Sequence, residues 1–425
     1  MDLNQASQEQ LQQWQTQLQQ EFENFKTQGL QLDITRGKPS SEQLDLSNQL
    51  DGILAGHYNS SNGTDVRNYG GLDGLPEMKQ LGADILSVPQ ERILVGGNSS
   101  LTLMFQAMMQ AYFFGYAGPE SAWQQQDNVK FLCPVPGYDR HFAICEHFGI
   151  EMLTVSMNED GPDMDQVETL IKADPSIKGM WCVPKYSNPT GTVYSAATIE
   201  RIAKLGQIAG EGFRVFWDNA YVLHDLNANA PALASIADYC QQHGTEDSVL
   251  QFASTSKVSF AGAGVAFMAA SPNNLAAFKQ TLSIASIGPD KVNQLRHAKL
   301  FPDLASLKAH MMKHADLLRP RFEVVLNRLE EAFGDNDLGQ WQSAAGGYFV
   351  SFDTRPGLAK RVVDLAAEAG VKLTPAGATY PYGSDPQNSN IRIAPSVPTV
   401  DDVDLAMQVF VCAVKLASVE QALAA

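Results

Sequence analysis

The chain has 425 residues, 44% of them hydrophobic and 18% charged, so it can bury a large core, and we expect two packed domains. Its 30 basic and 47 acidic residues give a formal net charge of -17, which argues against nucleic acid or an anionic membrane surface as partner, because both attract basic patches. Without a signal peptide pattern, an apolar run long enough to span a membrane, or cysteines at metal-ligand spacing, the sequence predicts a cytoplasmic protein with reduced thiols and no metal centre.

The first predicted element is an amphipathic helix in the glutamine-rich N-terminal segment. Its apolar positions recur at helical spacing at Leu11, Trp14, Leu18, Phe22 and Phe25. An irregular segment, LDITRGKPSSEQLDLS, follows it.

From about residue 92 onward, short apolar runs alternate with helical patterns such as 99–114 and 196–210. This alternation predicts an α/β fold, with a mostly parallel sheet of seven strands covered by helices on both faces. The predicted strands are RILVG, VKFLCP, EMLTVSM, IKGMWCVP, FRVFWD, SVLQFA and VAFMAAS.

The pattern changes after SIGPDKVNQLRH, where a long helix is predicted over about 303–333. A smaller α+β region follows, with a strand at GGYFVSFD and a closing helix from Val400. We therefore expect an N-terminal helix and substrate-side segment (1–50) that packs with the small domain, a large domain (51–300) and a small C-terminal domain (301–425).

Polar residues follow several of the predicted strands, at the edge where open parallel sheets bind ligands. Ser99 and Ser100 open a helix, where free N–H groups suit an anion, although a serine there is also an ordinary helix cap. The other strand ends carry Tyr138, Asn188, Asp218 with Tyr221, and the stretch STSK, which contains Ser254, Ser256 and Lys257.

Together these groups indicate pyridoxal phosphate. A partly desolvated lysine can form a Schiff base with an aldehyde, and a carboxylate can keep a pyridine nitrogen protonated. A phenol and an amide can hydrogen-bond the ring oxygen, an aromatic side chain can stack on the ring, and hydroxyls at a helix N-terminus can bind the phosphate.

The ordered series GGNSS, PGY, SNPTG, DNAY, STSK and IRIAP resembles the fold-type-I, class I aminotransferases from about residue 30 to the end. LDITRGKPS, NYGGLDG, PGYDRH and GPDKVNQLRH further resemble a bacterial aspartate aminotransferase branch. The resemblance implies that Lys257 forms the Schiff base and moves the proton, that Asp218 pairs with the pyridine nitrogen, and that Asn188 and Tyr221 contact the ring oxygen. It also implies that Tyr138 stacks on the ring while Ser99, Ser100, Ser254 and Ser256 surround the phosphate.

Two further residues have implied roles, and one expected residue is missing. Tyr69 matches a tyrosine that reaches the phosphate of the neighbouring subunit, which implies a homodimer, and Arg392 matches the clamp for the substrate α-carboxylate. The phosphate-binding arginine expected eight residues after the lysine is replaced by Val265. Lys291 is a candidate substitute, delivered across the dimer, and the alternative is an ordinary surface lysine.

A dicarboxylic substrate needs a second cation opposite Arg392. Arg140 is the first candidate, although it could instead form an ion pair with Asp139 or Glu146 on its own helix. Arg36 and Lys38 compete with it, because their segment, which includes Gly37, matches a loop that folds over the substrate in relatives.

The resulting hypothesis is a ping-pong aminotransferase acting on L-aspartate and 2-oxoglutarate. The alternatives are an aminotransferase for aromatic or neutral amino acids, a β-lyase on the same fold, or a non-catalytic regulatory domain that binds pyridoxal phosphate. The last has little support, because such regulators carry an N-terminal DNA-binding winged helix. Here only about 30 residues, with a single basic residue, Lys26, precede the aminotransferase-like region, and the chain is acidic.

Overall fold

The computed structural model describes residue 3, residues 5–342 and residues 344–424. Its strands are β1 (Leu32–Asp33), β2 (Ile93–Val95), β3 (Lys130–Val135), β4 (Glu151–Asn158), β5 (Gly161–Pro162), β6 (Ile177–Cys182), β7 (Arg214–Asp218), β8 (Val249–Ser254), β9 (Ala266–Ala269), β10 (Gly339–Trp341), β11 (Val350–Thr354), β12 (Val371–Lys372) and β13 (Asn390–Ile393).

The α-helices are α1 (Gln8–Thr27), α2 (Ser41–Asp45), α3 (Pro76–Leu86), α4 (Ser100–Met109), α5 (Asp139–His147), α6 (Met164–Ala173), α7 (Ala196–Lys204), α8 (Ile236–His243), α9 (Pro272–Ala285), α10 (Lys291–Leu300), α11 (Leu304–Phe333), α12 (Ala359–Glu368) and α13 (Val400–Ala424). In the described residues, no helix is long and apolar enough to cross a membrane.

The central sheet has the strand order β2-β9-β8-β7-β6-β3-β4-β5. The neighbours β8, β7, β6, β3 and β4 are parallel, whereas β9 runs antiparallel to both β2 and β8. All seven predicted strands are present, and the predicted α/β class is confirmed. The sheet contains one strand more than predicted, because the two-residue β5 pairs antiparallel with the end of β4. Two residues are too few to produce a periodic pattern in the sequence.

Two predicted helices are shorter than expected. The helix expected over 99–114 is α-helical only to Met109 and continues as one π-helical turn over Gln110–Phe114. Similarly, α7 ends at Lys204 and passes into a 3₁₀ turn at Leu205–Gln207. The strand expected at GGYFVSFD begins at Val350, so Tyr348 and Phe349 precede it.

The long helix α11 connects the region around the central sheet with a three-stranded antiparallel sheet, β10-β11-β13. The latter sheet packs with α1, α11, α12 and α13 in one hydrophobic cluster, which includes Phe22, Phe322, Phe352 and Phe410. Separate clusters fill the two faces of the central sheet. The boundaries at residues 50 and 300 remain a prediction.

Candidate active site

The carboxyl ends of the central strands contribute to a cavity. Its wall contains nine of the ten predicted cofactor-binding residues, together with Leu101, Met104, Val183 and Ala220. The nine are Ser99, Ser100, Tyr138, Asn188, Asp218, Tyr221, Ser254, Ser256 and Lys257. Because β7 ends at Asp218 and β8 ends at Ser254, the parallel pairing of these strands brings the carboxylate and the lysine loop to the same edge.

Asp218 is a buried carboxylate with one satisfied oxygen and one unsatisfied oxygen. Its Oδ2 lies 3.0 Å from Nε2 of His141, and the His141 ring stacks on Trp181 at a centroid distance of 4.2 Å. Its Oδ1 is buried and has no hydrogen-bond partner among the described residues. A buried acceptor without a donor is unfavourable, so a hydrogen bond donated by a ligand to this oxygen would be stabilising.

Two phenols stand beside Lys257. The Lys257 Nζ lies 4.9 Å from the centroid of the Tyr221 ring. Burial raises the pKa of Tyr138 to about 12, although the charge of Lys257 opposes this shift. Burial also raises the pKa of Tyr221, and the charge of Asp218 adds to the effect. Both phenols therefore keep their protons at neutral pH and can donate hydrogen bonds.

The first turn of α4 forms the polar end of the cavity. Ser99 occupies the N-cap position, but its side chain makes no capping hydrogen bond within the described part of the chain. The Ser256 hydroxyl donates to the carbonyl of Asn98, and the Ser256 N–H donates to Ser254 Oγ at 3.3 Å. The cavity thus meets a helix N-terminus whose N–H groups are not capped by the preceding serine, an arrangement that suits an anion.

A buried polar network supports the backbone that carries Lys257. The Lys257 carbonyl lies 3.3 Å from His224 Nε2 and 3.5 Å from the Tyr348 hydroxyl. Gln43 donates from its Nε2 to Tyr348 and to His314 Nδ1, each at 3.1 Å. Burial and the charge of Lys257 lower the pKa of His224 to about 3, and burial with the charge of His310 lowers that of His314 to about 4. These histidines are therefore neutral at neutral pH.

Arg392 approaches the cavity from β13. Its Nη1 donates to Asp139 Oδ1 at 3.1 Å and to Asn188 Oδ1 at 3.2 Å, and its Nε donates to Thr374 Oγ1 at 3.4 Å. The guanidinium carbon lies 4.9 Å from the centroid of the Phe349 ring. The Asn188 that lines the cavity thus also contacts the arginine predicted to bind substrate.

The candidates for a second cation are exposed. Arg36 and Lys38 flank Gly37, and a Cβ on Gly37 would lie 2.5 Å from Cζ of Phe349, so this segment packs tightly beside the ring that contacts Arg392. Arg140 follows Asp139 in the first turn of α5 and is also exposed. Among the described residues it forms no ion pair with Asp139 or Glu146; Asp139 pairs with Arg392 instead.

Three positions considered for phosphate binding lie outside the cavity wall: Tyr69, Val265 and Lys291. Tyr69 is 82% exposed, and Val265 is buried in an apolar cluster with Val258 and Phe267, so its side chain provides no charge. Lys291 is 3% exposed and donates to the carbonyl of Gly70 at 2.6 Å. Lys291 is therefore not an ordinary surface lysine, and it is anchored beside Tyr69.

Three residues without a predicted role in the site contact its members: His141 contacts Asp218, Asp139 contacts Arg392, and His224 contacts the Lys257 carbonyl. A signal existed for His141, because it follows the predicted ring-stacking Tyr138 by one helical turn and thus shares its face of α5. No local pattern pointed to Asp139, whose partner is 253 residues away.

The comparisons with known proteins agree with this geometry. Residues 6–425 match the family model described as aspartate amino-transferase. The chain is 46% identical to the aspartate aminotransferase of Corynebacterium glutamicum over 95% of this chain and 93% of that protein.

Solved structures have the same fold. A crystal structure of an aspartate transaminase from Corynebacterium glutamicum superposes with a TM-score of 0.95 at 44% identity and covers 99% of both chains. The α-aminoadipate aminotransferase LysN of Thermus thermophilus, solved with N-(5'-phosphopyridoxyl)-L-leucine, gives a TM-score of 0.72 over 92% of this chain and 93% of that one. At 20% identity the second likeness shows the fold alone. With the family model matching nearly the whole chain and a relative 46% identical over 95% of it, this protein belongs to the aspartate aminotransferase family and is an aminotransferase.

Proposed function

We propose that the protein transfers the amino group of L-aspartate to 2-oxoglutarate by a ping-pong mechanism, with pyridoxal 5'-phosphate held in the cavity around Lys257. The observation that carries this proposal is the buried, unsatisfied Oδ1 of Asp218 in the same cavity wall as Lys257. When bound, pyridoxal phosphate supplies an aldehyde carbon and an electron-withdrawing ring that stabilises negative charge at the substrate Cα.

The residues present fit this cofactor. Asp218 Oδ1 would accept a hydrogen bond from a protonated pyridine nitrogen, while His141 holds Oδ2 of the same carboxylate. Tyr138 would stack on the ring face. Asn188 and Tyr221 would contact the ring oxygen, and the protonated Tyr221 hydroxyl would donate to it.

The phosphate would lie at the N-terminus of α4, near Ser99, Ser100, Ser254 and Ser256. The uncapped N–H groups and the Ser99 hydroxyl provide donors there. The Ser256 hydroxyl would have to rotate away from the Asn98 carbonyl before it could donate to the phosphate. Lys291, held beside Tyr69, is our candidate for the charge that Val265 does not supply.

Lys257 would hold the cofactor and then move a proton from the substrate Cα to the cofactor. The carbonyl contacts of His224 and Tyr348 fix the backbone of this lysine. Its amine therefore has a restricted set of positions from which to act.

Arg392 would bind the α-carboxylate of both substrates. The distal carboxylate needs a second cation, and two of the candidates adjoin the Arg392 environment: Arg140 follows its partner Asp139, and Arg36 precedes Gly37, which packs on Phe349. Lys38 stands on the other side of Gly37. Replacing each of the three by alanine distinguishes between them. Replacement of the residue that binds the distal carboxylate should raise the KM for L-aspartate without changing the KM for L-alanine.

We also propose a homodimer in which Tyr69 reaches the neighbouring site. Tyr69, Ile284 and Ile287 are 82%, 88% and 65% exposed. Gly70 and Gly288 approach closely, which places Tyr69 next to the segment that carries Ile287. We define these three side chains as the apolar surface patch, and cover by a second copy would bury it. We expect the protein to work in the cytoplasm.

The test is an absorption spectrum of the purified protein with pyridoxal phosphate, followed by addition of L-aspartate, L-tyrosine or L-alanine. A visible band that aspartate bleaches at far lower concentration than the other two supports the proposal. Bleaching mainly by tyrosine or alanine would keep the aminotransferase but replace the substrate. Absence of any visible band would contradict the cofactor assignment.

A further inference from the structure

Three of the five N–H hydrogens of Arg392 already have an acceptor in the arrangement described above. A guanidinium has five N–H bonds, two of them on each Nη. Both hydrogens of Nη1 have an acceptor, since Asp139 Oδ1 lies at 3.1 Å and Asn188 Oδ1 at 3.2 Å, and the Nε hydrogen faces Thr374. A carboxylate that bridges Nη1 and Nη2 therefore needs the position of one of these two acceptors, and Asp139 is the one that carries the same charge as the substrate.

We propose that Asp139 is an internal competitor for the α-carboxylate site, so that each substrate must displace the Asp139 carboxylate from Arg392 to bind. This inference rests on the proposed role of Arg392. Asp139 supplies the same chemical group as the substrate, a carboxylate oxygen, and it is the residue on which α5 begins. While it is paired with Arg392 it lowers the apparent affinity of this site for the substrate carboxylate.

The exposure of the two partners fits an exchange. The Asp139 side chain is 40% exposed, whereas that of Arg392 is only 7% exposed. The displaced carboxylate can therefore turn into water, but the arginine cannot leave. The exchange keeps one anion on a buried cation throughout, so Arg392 is not left unpaired at that step.

A simpler role for Asp139 is favourable interaction of an acidic residue with the N-terminus of α5. The chain offers a matched control for that role. Asp165 lies in the first turn of α6 and pairs with Arg201 at 2.6 Å, but it takes no part in the candidate site. Asp165→Asn therefore removes the same kind of helix-terminal, arginine-paired carboxylate elsewhere.

The test compares the holoenzyme with its Asp139→Asn and Asp165→Asn variants. Titration calorimetry with maleate, a non-reacting dicarboxylate, measures binding directly, and steady-state kinetics give KM for L-aspartate and 2-oxoglutarate. Asp139→Asn should tighten maleate binding and lower both KM values by about two- to fivefold, the range expected of a partly exposed ion pair. Asp165→Asn should change neither.

A maleate Kd that is raised or unchanged in Asp139→Asn would overturn the inference and make Asp139 an orienting partner of Arg392. If Asp139→Asn does not fold, Asp139→Ser, which also removes the carboxylate, must show the same tightening. An active wild-type holoenzyme with an unchanged Kd in these variants refutes only the competitor role. Absence of aminotransferase activity with aspartate in the wild type would instead refute the proposed substrate, while maleate binding would still report on Asp139.

Discussion

The pairing of Asp218 with His141 is a contact on which the cofactor assignment depends. His141 lies 3.0 Å from Oδ2, is almost fully buried and is fixed by its stack on Trp181. If Asp218 holds the pyridine nitrogen through Oδ1, then His141 keeps the carboxylate in the orientation that this requires. Loss of the histidine leaves a second buried oxygen without a partner.

We therefore expect His141→Phe to weaken pyridoxal phosphate binding by about tenfold, the equivalent of about 1.4 kcal/mol. The measurement is the cofactor Kd from the visible absorbance of apoprotein titrated with pyridoxal phosphate. His147→Phe is the control, because His147 is an exposed residue near the end of the same helix. Equal affinity in the His141 variant and the wild type would show that Asp218 needs no such support.

Individual site residues were predictable where local sequence reports the end of a strand, but their long-range partners were not. Ser254 and Asp218 each end an apolar run, so their position at one edge followed from the fold class. Lys291 could be read as a surface lysine, because no local pattern reveals that its ammonium group meets the Gly70 carbonyl. The same holds for Asp139, for which only the neighbouring Arg140 was considered as an ion-pair partner, whereas Arg392 lies 253 residues away in the sequence.

Among the elements, helix α1 shows how a glutamine-rich segment can form an ordered helix. Ser7 accepts from the Gln10 N–H while the Gln10 side chain accepts from the Ser7 N–H, which forms a capping box. Leu11, Leu18, Phe22 and Phe25 are buried in the cluster that also contains α13, as the helical spacing predicted. Polar composition alone would have favoured disorder, but the apolar stripe determines the structure.

Phe22→Ala should lower the free energy of unfolding by about 3 to 5 kcal/mol, because it leaves a cavity between α1 and the C-terminal helix. Gln19→Ala, on the exposed face of α1, should change it by less than about 0.5 kcal/mol. Chemical denaturation of both variants measures the difference. A Phe22 variant as stable as the Gln19 variant would mean that α1 is not part of the folded core.

For the whole molecule, two buried histidines make the free energy of unfolding depend on pH. His224 and His314 have pKa values lowered to about 3 and about 4, against about 6.5 for an unfolded histidine. At a pH between the folded and the unfolded pKa, each of these histidines is protonated in the unfolded chain but not in the folded protein. The free energy of unfolding must therefore fall as the pH drops through about 6.5, and it is unaffected by these groups above about pH 7.5.

We expect a loss of about 2 kcal/mol per histidine between pH 7.5 and pH 5, which chemical denaturation at the two pH values measures. Most carboxylates titrate below this window, so the slope reports mainly on histidines. His314→Gln should flatten the dependence, whereas His57→Gln, at an exposed position, should not. A stability independent of pH over this range would contradict the buried neutral state.

The proposed dimer predicts that a charge in the apolar surface patch separates the subunits. Ile287→Glu should shift sedimentation from dimer toward monomer and reduce cofactor affinity, because Tyr69 then no longer reaches the neighbouring site. Ile208→Glu is the control, since Ile208 is 36% exposed and lies outside this patch. A dimer unaffected by Ile287→Glu would place the interface elsewhere.

The central claim is that Lys257 binds pyridoxal phosphate covalently in the cavity at the strand ends. The most direct measurement is the visible spectrum of the wild type and of Lys257→Ala, each incubated with pyridoxal phosphate, before and after L-aspartate. In the wild type we predict a visible band that L-aspartate bleaches. In Lys257→Ala we predict that the aspartate-sensitive band of the lysine-bound cofactor is absent and that amino transfer is lost. A variant that keeps the wild-type band and its response to aspartate would show that another residue holds the cofactor, and the account of this site would be wrong.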